Sequence, residues 1–254
     1  MPLWPEAAAL TLFAAARLPL LRFRTLLRRR LHLDALEDFD VSIRVVIEDV
    51  LREVNSEFPS DFAWKVARQT GERIDRFSAT QLAGSIKQMT GVEVDLALKG
   101  DAALKEMVAG FARDNARLIS DLPDLMADRL GKMVAEAVES GRTQWELADA
   151  LDDAFDLAEG RASFLARDQT GKLFGQVDRY RQERLGVTQY FWRTMLDPRV
   201  RDSHARLEGR LCAWSEPPVN ERGEHIIPGS DYNCRCWAEP DLSNVTLPGE
   251  KAAA

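Results

Sequence analysis

Cysteine and histidine are scarce in this sequence: 254 residues contain three of each. An odd number of cysteines cannot form a closed disulfide framework, which leaves a reduced compartment, a metal site or small buried thiols. No run reaches about 18 apolar residues, so no membrane-spanning helix is expected. The nearest approach, Ala7 to Leu21, is interrupted by Arg17 and Pro19. Its positive charges follow the apolar stretch rather than lead it, so it does not read as a secretory signal, and synthesis inside the cell is expected. G-x-x-x-x-G-K-[ST], G-x-G-x-x-G and H-E-x-x-H are all missing, so nucleotide hydrolysis, dinucleotide binding and zinc proteolysis by those routes are unsupported. Basic charge is also in deficit, 34 residues against 41 acidic, for a net charge of −7. Attraction of the whole surface to DNA is thereby excluded, though not a local basic patch.

Hydrophobic residues at 45% and charged residues at 30% suit a folded chain rather than a disordered one. Arg17, Arg22, Arg24, Arg28, Arg29 and Arg30 lie in one stretch without an acidic residue, interleaved with leucines and Phe23. A basic amphipathic segment of this kind can meet an acidic protein face, nucleic acid or a membrane surface, or simply be solvated. Protein docking accounts for the pattern without a membrane.

From Asp40 to about Leu185 the dominant period is helical. Ile43, Val46, Ile47, Val50, Leu51 and Val54 build one apolar stripe. A second helix is expected near 60–77, a third from Ser78 as N-cap to Gly91, and a fourth through Leu104 to Leu118, broken at Pro123. Thr143 to Glu146 reads as a capping box that opens the last long helix, which ends at Leu185-Gly186. Thr188 to Thr194 suits a strand, and the Pro- and Gly-rich texture beyond it suits turns. The expected architecture is mainly α: an elongated helical body followed by a small α+β module with short strands. Its segments are a basic N-terminal stretch (1–40), the body (41–186), the module (187–247) and a frayed tail (248–254).

All three cysteines, two of three histidines and three of six tryptophans fall between residues 192 and 237. A module of some 60 residues has too little core to be comfortable alone and often recruits a metal or packs on a neighbour. Three thiolates and an imidazole suffice for a tetrahedral zinc site, so His204, Cys212, Cys234 and Cys236 are the candidate ligands, with His225 as substitute. In an extended segment, Cys234 and Cys236 share one face while Arg235 points away. Three buried thiols behind a tryptophan-rich core are the competing reading. Catalysis is not expected. No protease signature surrounds a cysteine, and Asp197, Asp202 and His204 suit a polar turn better than a nuclease centre.

The run Trp192-Arg-Thr-Met-Leu-Asp197-Pro-Arg199-Val-Arg201-Asp-Ser-His204-Ala-Arg-Leu-Glu-Gly209, then Pro228-Gly229 and Asn233-Cys234-Arg235-Cys236, resembles the phage Mu F-like head-morphogenesis family of minor capsid proteins. Ala166-Arg-Asp-Gln-Thr170 and Glu139 to Ala148 are similar to that family's lead-in, and the resemblance covers about residues 103–240. It implies a non-enzymatic minor head protein at the portal vertex of a virion, assembled in the host cytoplasm. Its implied partners are the portal protein and the major capsid or scaffold protein, with DNA contact during packaging or ejection as an accessory role. Trp192, Asp197, Arg199, Arg201, His204, Gly209, Cys234, Arg235 and Cys236 would then form a structural constellation. The alternatives are a DNA-contacting ejection factor working through Arg17 to Arg30 and a metal-dependent hydrolase or nuclease built on the His/Cys cluster.

Overall fold

A computed structural model describes residues 4–31, 39–96 and 101–247. The frayed tail expected at 248–254 and part of the N-terminal segment lie outside these residues. In chain order the elements are α1 (Glu6–Arg30), α2 (Phe39–Glu57), α3 (Ser60–Thr90), α4 (Ala102–Glu139), α5 (Gln144–Arg184), β1 (Gln189–Arg193), α6 (Asp202–Ala205), β2 (Leu211–Ala213) and β3 (Trp237–Pro240). The fold is mainly α, with a small antiparallel sheet near the C-terminus. Among the described residues no helix is long and apolar enough to cross a membrane.

The helical periods hold, but two expected boundaries do not. The two helices expected on either side of Ser78 are one. Ile74, Ser78, Leu82 and Ile86 continue a single stripe in steps of four, all buried, and the Ser78 hydroxyl accepts from Arg181 at 3.1 Å instead of capping. Pro123 lies inside α4 and Pro19 inside α1. Each proline removes one helical hydrogen bond. The helices persist because the buried faces run on past them, through Met126, Leu130 and Val134 in one case and Leu20, Phe23 and Leu27 in the other. At three glycine stop signals the helix does end. Gly91, Gly141 and Gly186 take left-handed φ values of 76°, 64° and 80°. The capping box forms as expected: the Glu146 amide donates to the Thr143 hydroxyl at 3.3 Å, and the Glu146 carboxylate accepts from the Thr143 amide at 2.8 Å.

Packing does not follow the segmentation at 40/41 and 186/187. One compact unit comprises Leu10–Ala67 and Ala112–Ala166; the other comprises Met1–Ala9, Arg68–Phe111 and Arg167–Ala254. The core of the first joins Leu20 and Phe23 of α1, Ile43, Ile47 and Val50 of α2, Met126 and Leu130 of α4, and Leu147, Leu151 and Phe155 of α5.

In this unit the basic stretch of α1 meets acids of α2 and α5. Arg17 pairs with Glu159 at 2.6 Å, and Arg22 with Glu53 and Glu57 at 3.1 and 2.7 Å. Arg24 reaches Asp152 and Asp156 at 3.2 and 2.7 Å, Arg28 reaches Asp152 at 2.5 Å, and Arg30 pairs with Glu53. Arg29 is exposed.

The second unit carries the sheet, ordered β2-β1-β3. Both pairings are antiparallel, with Tyr190 opposite Cys212 on one side and Trp192 opposite Ala238 on the other. Alternation along β1 buries Tyr190 and Trp192 in a core with Leu207, Trp214, Ile226, Cys234 and Cys236. Inside the same unit Arg181 of α5 is fully buried. It is satisfied by Asp75 at 2.5 Å, the Ser78 hydroxyl at 3.1 Å and the Leu96 carbonyl at 3.2 Å.

Candidate functional site

The site is assembled by turns that follow β1. Leu196 and Asn233 adopt left-handed φ values of 53° and 50°, which side chains other than glycine rarely take. The Leu196 amide donates to the Thr194 hydroxyl at 3.4 Å, and carboxylates tie down the turns around both residues. Asp197 accepts from the Arg199 amide at 3.0 Å and from the Arg235 guanidinium at 2.6 Å. Asp168 of α5 accepts from the Asn233 amide at 3.0 Å and from Lys172 at 2.7 Å. The Arg235 guanidinium beside Asp197, joined by the Arg199 amide, brings the Asp197 carboxyl down to about 2. Gly209 (φ 70°) returns the chain to β1, its amide donating to the Trp192 carbonyl at 2.8 Å. Between these turns α6 delivers His204 into the core, where it is 3% exposed and meets Trp192 edge-on.

Cys234 and Cys236 converge on that imidazole. Both sulfurs lie 3.5 Å from His204 Nδ1, and the ligand atoms of the three residues all lie within 4.8 Å of one another. Residues 234–236 are not in a strand, yet the two thiols share one side and Arg235 leaves on the other, as the spacing predicts. The far ring nitrogen, Nε2, lies 3.3 Å from Asp231 Oδ2, although it is not aligned as a hydrogen bond. Asp231 is 7% exposed. It accepts from Arg201 at 2.7 Å, Arg222 at 3.0 Å and the Tyr232 amide at 2.8 Å. Burial pushes its pKa up, but the Tyr232 amide, the hydrogen bond from Arg222 and the charge of Arg201 outweigh burial and hold it below the usual carboxylate range. The neighbouring Cys236 thiol, and His204 after it, hold Cys234 well below an ordinary thiol against the burial that opposes them. Cys236 is driven up by the same contact and by its own burial. A cavity of about 20 Å³ opens on the cluster between Arg199, Arg201, Arg235 and the three ligand residues.

The expected four-ligand set is therefore not the one assembled. Cys212 sits on β2 opposite Tyr190, its sulfur 3.6 Å from the Arg210 carbonyl and outside the cluster, because the strand register carries it to the Tyr190–Trp214 stack. His225, the substitute, is exposed and contacts the Pro217 carbonyl at 2.9 Å. Arg199 pairs with Asp197 at 3.3 Å and Arg201 with Asp231, so both hold turns in place.

Sequence reasoning missed the residues that seat the cluster. A Cβ on Gly171 would stand 2.9 Å from the Cys234 carbonyl, and one on Gly175 would stand 2.3 Å from the Pro228 carbonyl. A Cβ on Gly229 (φ 88°) would stand 2.5 Å from the Gly171 carbonyl. The loop backbone thus lies directly on α5, where only glycine leaves room. The signal was present as Gly171-x-x-x-Gly175, with Asp168 three residues earlier on the same face. Asp231, three residues before Cys234, carried no local signal.

Residues 128–239 match the family described as "Phage Mu protein F like protein". An uncharacterized protein of Haemophilus influenzae is 31% identical over 182 residues, which are 72% of this chain and 40% of that protein. An uncharacterized protein of Methanocaldococcus jannaschii is 28% identical over 109 residues, 42% of this chain and 16% of that protein. The chain thus spans less than half the length of either relative. No solved structure matches it.

Proposed function

We propose, from the match of residues 128–239 to the family described as "Phage Mu protein F like protein", that this chain is a minor structural protein of a phage head that docks on the portal during assembly. The family match carries the reading. The geometry supports it in two ways. First, the polar groups of the constellation are engaged with one another: Asp197, Arg201, Asp231 and Arg235 bind one another or nearby backbone and hold the module's shape. The cavity beside them has room for about one water and not for a nucleotide or peptide. Second, the unit containing most of α1 carries an apolar groove of about 310 Å³ lined by Leu12, Leu118, Leu122, Leu125, Leu157 and Leu165. Leu125 and Leu157 remain 62% and 61% exposed in it. We take this groove as the docking surface of the proposal.

The test is co-expression with the cognate portal protein followed by sedimentation. The chain is expected to travel with the portal ring, and Leu125→Asp/Leu157→Asp is expected to stay behind with unchanged helical content. A wild-type chain that never co-sediments overturns the docking. The hydrolase alternative is addressed by incubating the purified chain with plasmid DNA and a peptide mixture, with and without zinc or magnesium; no turnover is expected.

A further inference from the structure

We propose that His204, Cys234 and Cys236 hold a single zinc ion, with a water in the adjoining cavity as fourth ligand and Asp231 as the carboxylate that orients the histidine. A tetrahedral zinc with bonds of about 2.3 Å to sulfur and 2.05 Å to nitrogen places those two atoms about 3.6 Å apart. The structure puts His204 Nδ1 3.5 Å from each sulfur, close to that separation, with all three ligand atoms within 4.8 Å of one another. Two soft thiolates with one imidazole are a donor set suited to zinc rather than to magnesium or calcium, which take oxygen.

The surroundings are those of a prepared site. Metal-binding histidines commonly turn their second nitrogen to a carboxylate, which settles the ring's tautomer and orientation. Here Asp231 stands 3.3 Å from Nε2 and is itself anchored by Arg201, Arg222 and the Tyr232 amide. The cavity of about 20 Å³ beside the cluster exceeds the roughly 10–15 Å³ that one water needs. Cys212, facing Tyr190 across the strand pair, is not a ligand. A zinc ion here would bind α6 to the loop seated on Gly171 and Gly175, adding a cross-link to a module whose own core is small.

The experiment is metal analysis of the full chain made without an affinity tag in zinc-supplied medium, joined to cobalt substitution. About one zinc per chain is expected. The cobalt form is expected to show sulfur-to-metal charge transfer and the strong visible bands of a tetrahedral site. Cys212→Ser should keep both signatures, and Cys236→Ser should lose them. Because Cys236→Ser can fail to fold, Asp231→Asn provides a second arm. It leaves all three ligands in place and is expected to weaken zinc roughly 10–100-fold in competition with a chromophoric chelator. Zinc near zero in folded wild-type protein overturns the site. So does loss of metal in folded Cys212→Ser as complete as in Cys236→Ser. Neither measurement involves the portal, so this proposal and the docking function can fail separately.

Discussion

At the scale of single residues, three α5 positions have consequences that can be measured. Gly175 has no room for a methyl group, because the obstacle is the Pro228 backbone carbonyl rather than a flexible side chain. Gly175→Ala is therefore expected to destabilise the chain by about 1–3 kcal/mol in urea denaturation, the usual cost of overpacking. Gly160→Ala, on the same helix with nothing within 4 Å, is expected to stabilise by about 0.5–1 kcal/mol by removing backbone freedom from the unfolded chain. Asp178 is a different case. Burial raises its pKa to about 7, against the hydrogen bond from Gln182 and the charge of Arg181. A carboxyl whose folded pKa lies above its unfolded value favours the folded state most below about pH 4, and that contribution disappears as the pH rises towards 7. Asp178→Asn is expected to flatten the fall in stability between those limits. Above pH 7.5 it should be more stable than wild type by no more than about 4 kcal/mol, at about 1.4 kcal/mol per pKa unit. Denaturation midpoints at pH 4.5, 6 and 8 would test this; equal slopes for the two proteins would refute it.

At the scale of elements, the helices show which local signals survive packing. The Thr143 box sits at the start of α5, where amides have no partner within the helix, so its oxygens settle the start. Thr143→Ala should cost about 1 kcal/mol, measurable as a lower thermal midpoint. Ser78, Pro19 and Pro123 were local signals of the same kind but lay on faces that other helices cover, and burial of the stripe outweighed one lost or diverted hydrogen bond. The same competition bears on α1. Its arginines form a basic stripe on paper, but Arg17, Arg22, Arg24, Arg28 and Arg30 each face a carboxylate. Six free arginines on duplex DNA would give a log–log salt slope near −5. A much shallower slope is expected from fluorescence anisotropy with a duplex oligonucleotide, because binding must first break ion pairs within the chain. A slope near −5 would restore the DNA-contacting reading.

At the scale of the whole molecule, four of the long helices contribute residues to both compact units, so neither unit is a continuous piece of sequence. For that reason a cut at 186/187 is expected to yield an aggregating C-terminal fragment rather than a folded module. The fragment would lack Asp168, Gly171, Gly175 and Gln182, which hold its loop and β3. A fragment 187–247 with a cooperative thermal transition would contradict this.

What the sequence determined by itself was everything encoded over a few residues: the helical stripes, the caps at Thr143 and the glycine ends, the aromatic strand at 189–193, the turn at Asp197 and the concentration of ligand-type side chains after it. Tertiary structure alone decided which of those side chains meet. Cys212 is drawn away by strand register, and Asp231 is brought to His204 from 27 positions further along the chain. The arginines of α1 find acids up to 142 positions away. The physical reason is that a period or a cap is satisfied by its own neighbours, whereas a ligand set or an ion pair depends on how distant backbones approach, as where Gly171 and Gly175 let the loop carrying Cys234 lie directly on α5.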